Sequence, residues 1–184
     1  MSQFDQLTHS FEEMWSWIQQ APQSWRHPIR TPTCITVGSD GPRGRTMVLR
    51  DVHDHHLIFF TDRRSPKVTA IELDPRGALH GYDQKRKLQI QLSGEFVVIE
   101  SHPRAKEWIS RGLQRFEDYG SPNCPGQPLP LEVEMATMEL AKEQFVILGF
   151  APRQIEFLQL SSQGHRRALW TCQQSVWTVC HLIP

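Results

Sequence analysis

The chain predicts a mainly β fold with flanking helices, built as a small closed β-barrel, and three observations carry that reading. Short runs with strand-like alternation recur from Thr33 to the C-terminus, divided by turn signals at SDGPRG, HDHH and DQKRK. Only a few helical periods interrupt them. Runs at both ends of the series need pairing partners, which favours barrel closure over the alternative, a two-layer α+β sandwich. At 184 residues one domain is expected over 1–184, long enough to bury roughly 70% of its unfolded surface. Within it we read an N-terminal helix in 1–25, a barrel core over 30–100, a helical and loop segment over 101–145 and C-terminal strands over 146–184.

The elements follow in order. SFEEMWSWIQQA opens as an amphipathic helix: Ser10 and Glu13 fit a capping box, and Phe11, Met14, Trp15 and Ile18 fall at i, i+3, i+4 and i+7. Packing on the main body is the expected use of that face, with partner binding as the alternative. TCITVGSD, GRTMVLRDV, LIFFTD, ALHGYD and LQIQLSGEFVVIE read as strands, with the helix SPKVTAIELD among them. HPRAKEWISRGLQ and LEVEMATMELAKEQ read as helices on either side of the Pro- and Gly-rich loop YGSPNCPGQPLP. FVILGFAP, QIEFLQL, RALWTCQ and WTVCHLIP close the chain as strands, with Trp170 and Trp177 as core and interface packing.

Charge narrows the function. Twenty basic residues balance twenty acidic ones, so no overall field recruits nucleic acid or an anionic membrane, and any anion site must be local. DQKRK is a short turn without interleaved aromatics, unlike a nucleic-acid surface. No apolar run reaches the roughly 20 residues that span a bilayer, and the N-terminus lacks a signal-peptide layout. Cys34, Cys124, Cys172 and Cys180 show no CxxC spacing, so free thiols in a cytoplasmic protein are expected. HDHH at His53 to His56 offers imidazoles at a hairpin turn but no third and fourth ligand, so no metal is expected.

TDRRSPKVTAIELD carries the sharpest local signal. Ser65 is a preferred N-cap and Pro66 falls at N1, so a helix starting there turns unpaired N–H groups and its positive dipole end outward. Arg63, Arg64 and Lys67 surround that end. Cations there are unfavourable unless an anion binds, which makes a phosphate or carboxylate ligand reasonable. In RTMVLR, alternation sends Arg45 and Arg50 to opposite faces of a regular strand. Either a bulge intervenes or one arginine acts from the strand's end. An apolar strand with charged ends suits a ligand with a flat ring and an anionic tail; otherwise it is an edge strand guarded by charges.

RTMVLR, FFTDRRSPK and LQIQLSGE, in that order, resemble the FMN-binding core of the pyridoxamine 5'-phosphate oxidase family. The resemblance implies a split β-barrel, a homodimer with FMN at the subunit interface, and an FMN-dependent oxidoreductase. It assigns FMN binding to Arg45, Thr46, Met47, Val48, Leu49, Arg50, Phe60, Thr61, Ser65, Lys67 and Gln89. It also places Arg167, in the tail IEFLQLSSQGHRRALWTCQQSVWTVCHLIP, where an arginine approaches the flavin ring. The resemblance covers about Pro32 to Ile99 and Pro152 to Pro184. Pro66 stands where the family often has a second cation, and Leu158 where the oxidase has a tryptophan. SSQGHRRALW lacks the oxidase's Arg-x-His pair, and no Gln-Ser segment is recognisable in RFEDYGSPNCPGQPLP. These departures point to the divergent oxidase-related branch, substrate undefined. The alternatives are a true pyridoxamine 5'-phosphate oxidase and a non-catalytic flavin or haem module. No catalytic residue is assigned; His165 is read as a solvated turn histidine.

Overall fold

Ser2 and Asp5 begin the fold by capping each other. The Ser2 hydroxyl accepts from Asp5 N–H (3.2 Å) and the Asp5 carboxylate accepts from Ser2 N–H (2.9 Å), a capping box that opens α1 (Gln3–His9). This helix was not anticipated from the sequence, which read the first helix from Ser10. There the Ser10 hydroxyl accepts from Glu13 N–H (3.2 Å) and starts α2 (Phe11–Gln19), burying Met14, Trp15 and Ile18 as its spacing requires. Arg166 reaches back to Asp5 (2.6 Å) and Ser2 (2.7 Å), and Trp170 Nε1 donates to Leu7 O (2.9 Å), so the C-terminal strands hold α1 in place.

The computed structural model describes residues 2–131 and 134–184, and these form nine strands and five α-helices. The strands are β1 (Thr33–Gly38), β2 (Gly41–Thr46), β3 (Leu49–His53), β4 (His56–Asp62), β5 (Arg76–Asp83), β6 (Leu88–Ile99), β7 (Phe145–Gln159), β8 (Arg166–Gln173) and β9 (Val176–Leu182). Helix α3 (Pro66–Leu73) lies between β4 and β5; α4 (Ala105–Leu113) and α5 (Met138–Gln144) lie between β6 and β7. Every pairing is antiparallel, in the order β2-β1-β5-β6-β7-β4-β3, with β8 on β7 and β9 on β8.

The two end strands of that path, β2 and β3, are successive halves of one run, 41–53, joined at Met47–Val48. That joint closes the sheet into a barrel. Closure therefore comes from a bend at residues 47–48, not from pairing of the chain's two ends as the sequence suggested. Along β7, Phe145–Phe150 pair with β4 and Gln154–Gln159 pair with β8. Where β7 changes neighbours, the wall splits and β8–β9 lead away from the barrel.

Three further expectations are corrected. RTMVLR is not one strand: it breaks at Met47–Val48, and a register shift follows at Arg50. FVILGFAP and QIEFLQL are a single strand, because Pro152 occupies a position with a register irregularity opposite and breaks no continuous ladder. The helix read over 131–144 covers only Met138–Gln144, started by the Thr137 hydroxyl accepting from Leu140 N–H (3.3 Å); Glu132 and Val133 lie outside the described residues.

Inward-facing Leu88, Ile90, Leu92, Ile155, Phe157 and Trp170 join Met14, Ile18 and Leu79 in the main core. A second cluster, Ile58, Trp108, Tyr119, Ala141, Phe145 and Ile147, lies under α4 and α5. The segment before β1 presses on the wall so closely that a Cβ at Gly81 would stand 2.3 Å from Pro28 O. Among the described residues no helix is long and apolar enough to cross a membrane.

Candidate anion-binding site

Antiparallel pairing of β1 with β2 sets Arg45 opposite Cys34. The Arg45 guanidinium turns along the same face as Cys34 and Thr36, donating to Thr36 Oγ1 (2.7 Å) and Cys34 O (3.5 Å). From the other side, Lys67 in the first turn of α3 donates to Thr61 Oγ1 (3.0 Å) at the end of β4. Lys67 and Arg45 thus converge. Burial, and next the Arg45 charge, push the Lys67 ammonium below its ordinary pKa. Burial likewise lowers Arg45, with Arg43 adding repulsion. Neither cation has a carboxylate partner among the ion pairs of the described residues. Cys34 beneath them is a buried, inert thiol with its pKa pushed up to about 12 by burial.

The other cations of this region are paired or exposed to solvent. Arg64 forms a buried pair with Asp62 (2.7 Å) and donates to Ser121 O (2.8 Å) and Pro122 O (3.2 Å). It therefore ties the 119–126 loop to the start of α3, where a Cβ on Gly126 would sit 3.8 Å from Pro66 Cγ. Arg43 pairs with Asp40 at the surface (2.9 Å). Arg63 is exposed, and its backbone N–H donates to Gln144 O (2.7 Å). Of the three cations read around the helix end, Arg64 is paired, Arg63 points to solvent, and Lys67 alone is half-buried without a carboxylate among the described residues. Ser65 sits at the N-cap position, but its hydroxyl donates to Asp62 O (2.7 Å) and lies 3.4 Å from Thr61 Oγ1, so it caps no N–H. Beside these groups lies a cavity of about 290 Å³, lined by Thr36, Arg43, Arg45, Arg64, Pro66 and Thr69 among others.

The Met47–Val48 joint adds free backbone. Met47 N–H donates to Pro32 O (3.1 Å) and Leu49 N–H to Arg30 O (2.9 Å), while Val48 takes no backbone partner. Met47 and Leu49 are buried; Thr46, paired with Thr33, is exposed on the outer wall. Of the two alternatives for RTMVLR, the register irregularity falls at Arg50 itself, between Leu49 and Asp51, and Arg50 lies over the Phe60 ring (5.7 Å). Because Phe60 and Thr61 are neighbours in β4 and point oppositely, Arg50 lies across β4 from the Lys67–Thr61 contact.

Gln89 and Arg167 occupy a third place. Gln89 pairs with Leu158, and Leu158 with Arg167, so the three lie side by side on the outer wall. Arg167 is already paired there: its Nη2 donates to Glu156 (2.9 Å), which raises its pKa, while its Nε is buried without a partner. Thr61 pairs with Val146, near the start of β7, and Leu158 lies near its end. About twelve residues separate them, roughly 40 Å of strand. By the other way round the wall, Arg45, Cys34, Leu79, Leu92, Ile155 and Trp170 lie abreast, which puts Arg167 five strands from Arg45, a path of about 25 Å measured along the curved wall at roughly 4.8 Å per strand. The chain therefore brings together Arg45, Thr61, Ser65 and Lys67, sets the 46–49 joint beside them, and keeps Gln89 and Arg167 apart.

Thr36, Arg43 and Glu156 were missed. Their roles depend on cross-strand register, and no local motif marks them.

Residues 13–100 match the family model described as pyridoxamine 5'-phosphate oxidase, FMN-binding domain. A pyridoxine/pyridoxamine 5'-phosphate oxidase of Teredinibacter turnerae is 25% identical over 200 residues, spanning 98% of this chain and 92% of that protein. Among solved structures, a pyridoxamine 5'-phosphate oxidase-related, FMN-binding protein of Nostoc punctiforme superposes with a TM-score of 0.70 at 21% identity, covering 95% of this chain and 97% of that one. PhzG from Burkholderia lata, in complex with tetrahydrophenazine-1-carboxylic acid, gives 0.71 at 21% identity, covering 94% and 90%. With wall topology, motif order and full-length relatives in agreement, the chain has the fold of the pyridoxamine 5'-phosphate oxidase-like split-barrel proteins and is similar to them in sequence along its length.

Proposed function

We propose that this protein is an FMN-binding oxidoreductase in which Arg45 and Lys67 hold the cofactor's phosphate. The observation that carries the reading is a pair of half-buried cations, each depressed by burial and neither matched by a carboxylate. A phosphate dianion between them removes their repulsion and accepts charge-assisted hydrogen bonds from both. The hydroxyls of Thr36, Thr61 and Ser65 stand within the same cluster, and the unpartnered backbone of Val48 gives polar edges of a flat ring system something to pair with. The donor set fits FMN on these grounds. When bound, FMN supplies the redox chemistry, and the chain supplies position and electrostatics.

Arg167 and Gln89 enter through a second copy. They project outward, too far round the wall to meet the phosphate cluster of their own chain, so two barrels placed face to face complete a pocket that one leaves open. Purified protein should be yellow, release FMN and not FAD on denaturation, and lose the colour in Lys67→Ala. Colourless wild-type protein that takes up no added FMN would overturn the reading. Curated relatives named as oxidases span nearly the whole chain, which favours pyridoxamine 5'-phosphate oxidation as the second reading. Peroxide formation from pyridoxamine 5'-phosphate separates the two. A bound flavin that no reductant cycles would instead indicate a binding module.

A further inference from the structure

The turn between β3 and β4 carries HDHH, and none of its side chains takes part in the anion site. The fold supplies what that run lacked. His102, in the segment leading into α4, comes up beside the turn, and its Nε2 lies 3.6 Å from Oδ2 of Asp54. The Nε2 of His53 lies 3.4 Å from the same oxygen. The two imidazole rings stand nearly perpendicular with centroids 5.1 Å apart, and one ligand atom from each of the three residues falls within 4.8 Å of the others.

We propose that His53, Asp54 and His102 bind a divalent transition-metal ion of the zinc class, with solvent in the fourth position. The spacing suits it. Tetrahedral ligands at about 2.0–2.2 Å from zinc lie about 3.3–3.6 Å from one another, close to the two imidazole–carboxylate separations already present. Two imidazoles and one carboxylate favour zinc, cobalt or nickel over magnesium or calcium, which take oxygen ligands.

The ligands are also held in place. Asp54 and His55 both have positive φ (46° and 60°), as a two-residue turn demands. His102 stacks on buried Trp108 at 4.6 Å. Arg104, two residues after His102, is engaged by Asp51 (2.8 Å) and Glu107 (2.9 Å) and not by Asp54. Ligation has one structural cost. Nδ1 of His102 accepts from Arg104 N–H (3.0 Å), so His102 must move its ring proton from Nε2 to Nδ1 and give up that bond. In return the ion fastens the β3–β4 turn to the start of α4, above the second core cluster.

Cobalt(II) titration of tag-free protein tests this. One equivalent should bind with the visible absorption of a tetrahedral site, and zinc should displace it and raise the melting temperature. His53→Ala and Asp54→Asn lie on the surface turn and leave the core untouched; each should weaken binding at least about tenfold. His102→Gln should do the same. Absence of binding at 1 mM cobalt overturns the proposal. So does equal binding by wild type and all three variants, or a thiolate charge-transfer band, either of which puts the ion on other residues.

Discussion

Two kinds of cation lie near the two ends of β7. Near its start, beside Thr61, Arg45 and Lys67 are half-buried and lack counter-charges. Near its end Arg167 is paired with Glu156. The difference teaches what each end is ready to do. Uncompensated buried cations are an expense in the empty protein, tolerable where an anion arrives. A compensated arginine is already stable and offers direction more than charge, for instance through its unpartnered Nε.

Removing the two half-buried cations, Arg45 and Lys67, has the largest expected effect. Arg45→Ala/Lys67→Ala should lose more than about 3 kcal/mol of FMN affinity in a fluorescence titration, leaving no measurable complex at micromolar flavin. Retained binding would break the comparison at once. Either single change should cost about 1.5–3 kcal/mol, whereas Arg50→Ala, across β4 over Phe60, should cost about 1 kcal/mol or less.

The same contrast has a pH signature. A lysine with a lowered folded pKa gives up its proton before the unfolded chain does. The empty protein therefore gains stability as pH rises through that lowered value, while phosphate affinity falls over the same range, below the ordinary lysine value of 10.5. Titrating FMN affinity against pH, with Lys67→Met as the control that flattens the curve, measures it. Lys67→Met should also stabilise the empty protein by about 0.5–1 kcal/mol in urea unfolding. At the other end Glu156→Gln should change FMN affinity by no more than about fivefold. A larger loss would show that the paired end carries charge after all.

How much of this was legible in the sequence depended on range. Ser65, Thr61 and Lys67 lie within one turn-and-helix segment, and a preferred cap followed by Pro66 marked it. What that cap does was not legible, since the Ser65 hydroxyl serves Asp62 O. Likewise Arg64 read as a free cation because its partner's burial and the loop at 119–122 are tertiary facts. The strand break at Met47–Val48 left no Gly, Pro or polar signal; closing the barrel imposes it. His102 lies far from HDHH in sequence, so its meeting with Asp54 could come only from the fold. The helical period through LEVEMATMELAKEQ overran because apolar spacing continues upstream of the cap that Thr137 provides.

The length of β7 has a consequence for counting. Because one strand carries Thr61's neighbour near its start and Arg167's neighbour near its end, a two-fold pairing that completes one pocket must complete a second by the same operation. The proposed pair therefore holds two flavins, one per chain, although neither chain owns a whole site. A titration should end at one flavin per chain, and a pair in which one member lacks its cations should end at half that.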